Sequence, residues 1–188
     1  MTQRVRIRET GPDDWEIIMD IERRAFGYDK EARLVACLLK DASARPALSL
    51  LALAGTEAVG HILFTRATFL AQPASPLMHI LAPLAVRPDY QGQGVGGLLI
   101  TSGLDMLRRM GSRFVFVLGH KEYYPRYGFT PHAAKAGYLP PFPLPEDHGA
   151  YWMVQALQPG ETGPVNGTVR CADTLNKPQH WRDEETDR

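Results

Sequence analysis

The sequence contains little cysteine, no excess of either charge and no long apolar run. Its 188 residues include two cysteines, Cys37 and Cys171, and 21 basic residues stand against 21 acidic ones. Two distant cysteines predict neither a disulfide scaffold nor a cysteine-rich metal site. A balanced charge argues against binding nucleic acid through bulk electrostatics. No apolar segment approaches the roughly 20 residues of a membrane-spanning helix.

The overall amino-acid composition is that of a globular protein. Apolar residues make up 44% of the chain and charged residues 22%, which allows a real core and excludes global disorder. The length is that of one domain, with or without an appendage. The opening MTQRVRIRET lacks the apolar stretch of a signal peptide. We therefore expect a cytoplasmic protein with no membrane or nucleic-acid partner and no bound metal.

The hydrophobic pattern predicts a mixed α/β fold. A half-buried strand at 5–9 precedes two amphipathic helical patterns that end at Gly27 and near Pro46. The elements expected after them are strands at 48–54, 59–69 and 79–86, a helix from 95 to about 110, a strand at 114–119, a short helix ending at Gly128 and a strand at 150–158. This order is typical of a mixed sheet with helices packed on it. Pro83 cannot donate to a strand ladder, so the strand at 79–86 should bulge or lose pairing there.

The C-terminal part gives weaker signals. LPPFPLP (139–145) predicts a stiff loop, and a further strand is possible around Val169. The charged tail from Asn176 is expected to be loosely ordered. The sequence is therefore divided into a domain at 1–160 and an extension at 161–188 that is partly ordered and then loose.

The strongest local signal is a glycine-rich loop before the helix at 95. Its glycines have no side chains to cover the backbone where a helix begins. The exposed N–H groups and the helix dipole at that point favour binding of an anion. The loop therefore predicts a phosphate or pyrophosphate site, although a tight packing turn would use the same glycines. A nucleotide-binding P-loop is disfavoured because no lysine follows Gly94. A dinucleotide site formally matches Gly92, Gly94 and Gly97, but the next strand ends without the acidic residue that such a site needs.

Two blocks of this sequence resemble one family. LAVRPDYQGQGVGGLLI (84–100) is similar to the cofactor-binding signature Arg/Gln-x-x-Gly-x-Gly/Ala of the GNAT acetyltransferases, with Gln91, Gly94 and Gly96 at its fixed positions. EYYPRYGF (122–129) resembles the Tyr-x-x-x-Gly-Phe segment that follows the next strand in that family. The two blocks have the order and separation that the family requires.

The resemblance covers most of the chain, residues 4–158, and is greatest for the YhbS-like branch. It implies a GNAT fold: a central mixed sheet of six to seven strands, splayed at the cofactor strand and flanked by about four helices. It also implies transfer of an acetyl group from acetyl-CoA to a primary amine by direct attack in a ternary complex, since no activated nucleophile motif is visible. A homodimer is common in the family. The alternative is a GNAT-fold protein that binds acyl-CoA without turnover, as a sensor or interaction module.

The resemblance also assigns roles to residues. It places the pyrophosphate on the backbone N–H groups of Gln91, Gly92, Gln93, Gly94, Val95 and Gly96. It pairs the pantetheine arm with the backbone of Leu84, Ala85 and Val86, where an N–H near Leu84 or Ala85 would form an oxyanion hole. It makes Tyr124, four residues before Gly128, the acid that protonates the leaving thiolate. Tyr123 and Tyr127 are the alternatives for that role.

The sequence departs from the family pattern at two places. The strand position at which many relatives carry a glutamate base is Ala82. The base candidates that remain are His79, Glu22 and Glu122, or solvent alone. His79 is expected on the sheet surface and Glu22 on a solvated helix face.

A second departure lies after the strand at 114–119. Relatives often carry an asparagine there, but this sequence has His120, which either takes the place of that asparagine or is an ordinary loop histidine. Cys37 is expected at the edge of the core. The proline-rich loop should border the acceptor pocket, where Glu146 and Asp147 would attract a cationic amine.

Overall fold

The helices and strands follow the order that the sequence predicts. The structure is a computed structural model that describes residues 4–72, 74–158 and 166–181. Its strands are β1 (Val5–Glu9), β2 (Leu48–Ala54), β3 (Glu57–Phe69), β4 (Met78–Val86), β5 (Phe114–Leu118), β6 (Tyr138–Leu139), β7 (Trp152–Ala156) and β8 (Gly167–Arg170). Its α-helices are α1 (Trp15–Phe26), α2 (Lys30–Lys40) and α3 (Val95–Arg109). The short helix expected before Gly128 is a 3₁₀ turn, Tyr124–Tyr127.

The strands form one mixed sheet. Its order is β1-β2-β3-β4-β5-β7, and every neighbouring pair is antiparallel except the parallel pair β4–β5. Strand β8 extends the sheet from the end of β3, opposite Thr68 and Phe69, and pairs in parallel with β6. The mixed α/β architecture is confirmed, with eight strands in the described residues. The strand expected around Val169 is also confirmed, as β8.

The helices cover the two faces of the sheet. Helices α1 and α2 bury one apolar core against it, and α3 buries a second core on the opposite face. Gly103 of α3 lies directly against the ring of Phe64, where any side chain would overlap the ring. Because both faces are covered, polar residues on the central strands are removed from solvent.

Strands β4 and β5 separate part-way along their length. Their pairing runs from Met78 opposite Phe114 to Leu81 opposite Val117 and then stops, while β4 continues to Val86 beside β3 alone. At this point the β3–β4 register shifts, because two residues of β4, Ala82 and Pro83, lie opposite a single residue of β3. The bulge expected at Pro83 is therefore confirmed. It opens a gap between the two parallel strands.

The described part of the C-terminal extension packs onto the domain. Trp181 is 3% exposed, meets the Trp152 ring edge-to-face at 5.6 Å, and donates from its indole N–H to the carbonyl of Leu175 at 3.0 Å. The expectation of loose order from Asn176 is therefore wrong up to Trp181, because one large apolar side chain docks an otherwise polar stretch. Residues 182–188 and the proposed boundary at 160 lie outside the described residues.

We expect Trp181→Ala to lower the free energy of unfolding by about 3–5 kcal/mol, as truncation of a large buried aromatic residue does. A thermal melt would show a fall in Tm. Leu139→Ala is the control, because Leu139 is 48% exposed and its truncation leaves no cavity. An unchanged Tm for Trp181→Ala would contradict the docking of this segment.

Two absences hold for the described ranges. No helix there is both long and apolar enough to span a bilayer. No group of three or more His, Cys, Asp or Glu side chains within them is arranged to hold a metal ion.

Both cysteines are free thiols. Cys37 is exposed, so the expectation that it lies at the core edge is wrong, whereas Cys171 is buried.

Candidate active site

The glycine-rich loop joins β4 to α3 and adopts backbone angles that favour glycine. Gly92 and Gly94 have φ of +70° and +83°, in the left-handed region that costs a residue with a Cβ roughly 1–2 kcal/mol. A Cβ at either glycine would meet nothing within 4 Å, so the loop faces open space. The glycines are therefore required by the backbone and leave room for a ligand.

Two tyrosine hydroxyls lie against the first turn of α3. The Tyr123 hydroxyl occupies the space that a Cβ of Gly96 would need, and the Tyr127 hydroxyl does the same at Gly97. The first backbone N–H groups of any helix have no partner within it. At this end of α3, bare N–H groups and the positive helix dipole therefore meet phenol hydroxyls, an arrangement suited to an anion.

A cavity of about 470 Å³, here called the glycine-loop cavity, opens at this helix end. It is lined by Val86, Tyr90, Gln91, Gly92, Gly94, Val95, Gly96, Tyr123, Arg126 and Tyr127. The loop residues that the sequence predicted all line it except Gln93, whose side chain donates to the Asp89 carbonyl at 2.8 Å. The Gln91 side chain likewise donates to the Val86 carbonyl at 2.9 Å, so both glutamine side chains hold the loop in shape.

Arg126 adds a cation to this cavity that sequence reasoning missed. It lies within the tyrosine-rich block, two residues after Tyr124, and its Nε donates to the Glu122 carbonyl at 3.0 Å. Only the 3₁₀ turn brings it over the glycine loop. A guanidinium next to unpartnered N–H groups strengthens the case for a phosphate ligand.

A second cavity of about 290 Å³ lies where β4 and β5 separate, and it is here called the strand-gap cavity. Its lining includes Ile80 to Leu84 of β4, Leu118 at the end of β5, and Tyr124. Strand β4 therefore connects the two cavities, since Leu84 lines one and Val86 the other. Ala85 between them is buried opposite His61.

Tyr124 is the tyrosine that reaches the strand gap. Its ring packs edge-to-face on Phe129 at 5.7 Å and lies so close to Gly119 that a Cβ there would overlap it. Burial raises the pKa of the Tyr124 phenol to about 12, so the hydroxyl keeps its proton at neutral pH. The alternatives, Tyr123 and Tyr127, line the glycine-loop cavity instead.

His79 is not where the sequence placed it. It is fully buried rather than on the sheet surface, because β4 is a central strand covered on both faces. Its Nε2 donates to the Pro46 carbonyl at 3.0 Å, and its Nδ1 lies 2.8 Å from the Ser112 hydroxyl. Burial lowers the pKa of His79 to about 4. It does not line the strand-gap cavity, so it is removed from the base candidates.

Glu22 is also fully buried, and the expectation of a solvated face is wrong. It belongs to the inward stripe of α1, and its Oε1 lies 2.6 Å from Nδ1 of His61. Sequence reasoning missed His61, although its position within the apolar run VGHILF signals an inward side chain. Glu122 is exposed, and His120 is an exposed loop residue.

The outer wall of the strand-gap cavity comes from helices and from the C-terminal segment. Its remaining lining residues are Phe26, Lys30, Glu31, Leu34, Leu175, His180 and Trp181. The expectation that the loop at 139–145 borders this pocket is wrong, because none of its residues lines the cavity. Glu146 and Asp147 begin a 3₁₀ turn and are exposed elsewhere on the surface.

Comparison with known proteins identifies the family. The model of the acetyltransferase (GNAT) family matches residues 15–129. The chain belongs to the GNAT acetyltransferase family. It is 59% identical to the uncharacterized N-acetyltransferase YjhQ of Escherichia coli K12 over 87% of this chain and 90% of that protein.

Two solved members of the family share the fold. The structure of the GNAT N-acetyltransferase YhbS from Escherichia coli, in complex with CoA, has a TM-score of 0.83 at 30% identity and covers 94% of both chains. A GNAT acetyltransferase from Brucella melitensis, in complex with acetyl-CoA, has a TM-score of 0.72 at 28% identity over 92% of this chain and 99% of that one. The expected family, fold and likeness to the YhbS branch are confirmed.

Proposed function

We propose that the protein transfers an acetyl group from acetyl-CoA to a primary amine by direct attack in a ternary complex. The observation that carries this proposal is the course of β4 between an anion-binding cavity and the cavity that holds Tyr124. A cosubstrate with a pyrophosphate at one end and a thioester at the other fits such an arrangement. The relatives solved with CoA and acetyl-CoA support this choice of ligand.

The cosubstrate would lie along β4. Its pyrophosphate accepts from the backbone N–H groups of Gly92 through Gly96, beside the Arg126 cation. The Gln91 N–H is not among these donors, because it donates to the Pro88 carbonyl at 3.3 Å. Its pantetheine arm pairs with the backbone of Leu84, Ala85 and Val86, since the parallel pairing of β4 with β5 has ended at Leu81. The bulge at Pro83 thus serves binding, because it frees a strand edge that a straight strand would hide.

The chemical step needs an oxyanion site and an acid. As the amine nitrogen bonds to the thioester carbonyl carbon, a β4 N–H near Leu84 or Ala85 donates to the carbonyl oxygen. The carbon–sulfur bond then breaks, and the Tyr124 hydroxyl gives its proton to the thiolate. Ala82 supplies no carboxylate, so the amine proton passes to solvent, and solvent returns a proton to the Tyr124 phenolate.

A GNAT-fold protein that holds acyl-CoA without turnover is the second candidate. The absence of a carboxylate at Ala82 is the observation that favours it. Turnover separates the two, since both functions require acetyl-CoA binding and only the first releases free thiol.

The test is a calorimetric titration followed by a thiol-release assay. We expect saturable binding of acetyl-CoA and none of NADH, because the loop lacks the acidic partner of a dinucleotide site. A panel of primary amines should then yield thiol from acetyl-CoA. Failure to bind acetyl-CoA would overturn the proposal, and binding without thiol release across the panel would favour the non-catalytic candidate.

A further inference from the structure

Three side chains away from the strand gap form a hydrogen-bonded chain. Ser49 of β2 has its Oγ 2.9 Å from Nε2 of His61, and Nδ1 of His61 lies 2.6 Å from Oε1 of Glu22. With an ionised Glu22, which only accepts, Nδ1 carries the proton and Nε2 accepts from the serine hydroxyl. This is the order of contacts in a nucleophile, a base and the acid that orients the base.

The burial of the three residues follows the same order. Glu22 and His61 are fully buried, whereas Ser49 is half-buried. The second carboxylate oxygen, Oε2 of Glu22, is buried and has no hydrogen-bond partner among the described residues. Nδ1 of His61 is therefore the hydrogen-bond partner that the described residues give this carboxylate.

Ser49 lines a cavity that is separate from the strand-gap cavity. This cavity, here called the Trp15 cavity, measures about 390 Å³, and its lining includes Ser49, Trp15, Ile18, Glu9, Leu39 and Arg45. None of these residues lines the strand-gap cavity. Along α1, Ile18 belongs to this Trp15 cavity and Phe26 to the strand gap, and eight residues of helix separate them by about 12 Å.

We propose that Ser49 is an activated nucleophile and that the Trp15 cavity is a second site, which cleaves small carboxylic esters. The apolar and aromatic lining, with Trp15 at its side, fits an ester carrying a flat apolar group. Arg45 contributes a cation and Glu9 a carboxylate to the lining of the same cavity. The site uses residues that acetyl transfer does not require.

The reaction balances as follows. The Ser49 oxygen bonds to the ester carbonyl carbon, and the hydroxyl proton passes to Nε2 of His61. The carbon–oxygen bond to the alcohol breaks, and the alcohol leaves with that proton. Water attacks the acyl-serine, its proton returns through Nε2 to the Ser49 oxygen, and a carboxylic acid is released.

The test is covalent labelling of the purified chain. We expect an alkyl fluorophosphonate to modify Ser49, located by peptide mass mapping, and p-nitrophenyl acetate to release p-nitrophenolate. Loss of the base should slow labelling by about 10²-fold or more in His61→Gln, the typical contribution of a positioned base. Glu22→Gln should slow it as well, because the ring then loses its orienting charge.

The chain supplies two matched controls. The Ser43 hydroxyl donates a hydrogen bond to the carboxylate of Asp41 at 2.6 Å, with no histidine between them. Ser43→Ala should therefore leave labelling unchanged, while Ser49→Ala abolishes it. Ser112 touches His79, which pairs with a carbonyl rather than a carboxylate, and should stay unmodified.

The proposal is overturned if the wild-type chain is not labelled at Ser49, or if His61→Gln is labelled as fast as wild type. A thermal melt of each variant shows whether it folds. The comparison of wild type with Ser49→Ala decides the matter even if the His61 and Glu22 variants do not fold. The readout involves no acetyl-CoA, so it stands or falls separately from acetyl transfer.

Discussion

Gly94→Glu is expected to weaken acetyl-CoA binding by about 10³-fold or more, roughly 4 kcal/mol on the affinity scale. Gly94 has φ of +83° at the start of α3, so any side chain strains the backbone that presents the N–H groups. A Cβ at this position projects into open space, and the added carboxylate would occupy the place of the pyrophosphate. Calorimetric titration with acetyl-CoA measures the loss.

Gly111→Glu is the matched control for that variant. Gly111 has φ of +84°, and a Cβ there would also meet nothing within 4 Å, but it lies just after the other end of α3. It should therefore share the backbone strain and keep the affinity for acetyl-CoA. Undiminished binding by Gly94→Glu would remove the glycine loop from the binding site.

Tyr124→Phe is expected to lower turnover by about 10²–10⁴-fold, the usual contribution of a general acid. Acetyl-CoA affinity should change little, because phenylalanine keeps the ring contact with Phe129 and the close approach to Gly119. The raised pKa of Tyr124, about 12, means that the wild-type hydroxyl is protonated throughout the neutral range. Steady-state thiol release and calorimetry together separate the two effects.

Tyr127→Phe is the companion variant. Its hydroxyl lies at the first turn of α3 beside Gly97, away from the strand gap, so turnover at saturating acetyl-CoA should stay within about 2-fold of wild type. Equal turnover by Tyr124→Phe and wild type would remove Tyr124 from the acid role. A loss confined to Tyr127→Phe would transfer that role to Tyr127.

Much of the binding end of the site could be predicted because its signals are local. The positive φ at Gly92 and Gly94 and the helix start at Val95 depend on residues adjacent in the chain. Pro83 likewise predicts its bulge without help from the rest of the fold. Such features are fixed by backbone sterics and by missing donors, which a sequence displays directly.

The polar interior could not be predicted in the same way. Glu22 and His79 looked like surface residues because charged and polar side chains usually are, and only their partners make burial tolerable. Those partners lie far along the chain: His61 is 39 positions from Glu22, and Ser112 is 33 positions from His79. Nothing local to either residue indicates that such a partner will be present.

By itself, the sequence determined the order of elements, the glycine-rich loop before α3 and the family, since periodicity, glycine and proline positions and motif spacing are properties of neighbouring residues. Only the tertiary structure decided which tyrosine reaches the strand gap, that Trp181 closes its outer wall, and that Ser49, His61 and Glu22 meet. These outcomes depend on strand register and on packing between distant segments, because side chains are brought together by the sum of many contacts that no single stretch encodes.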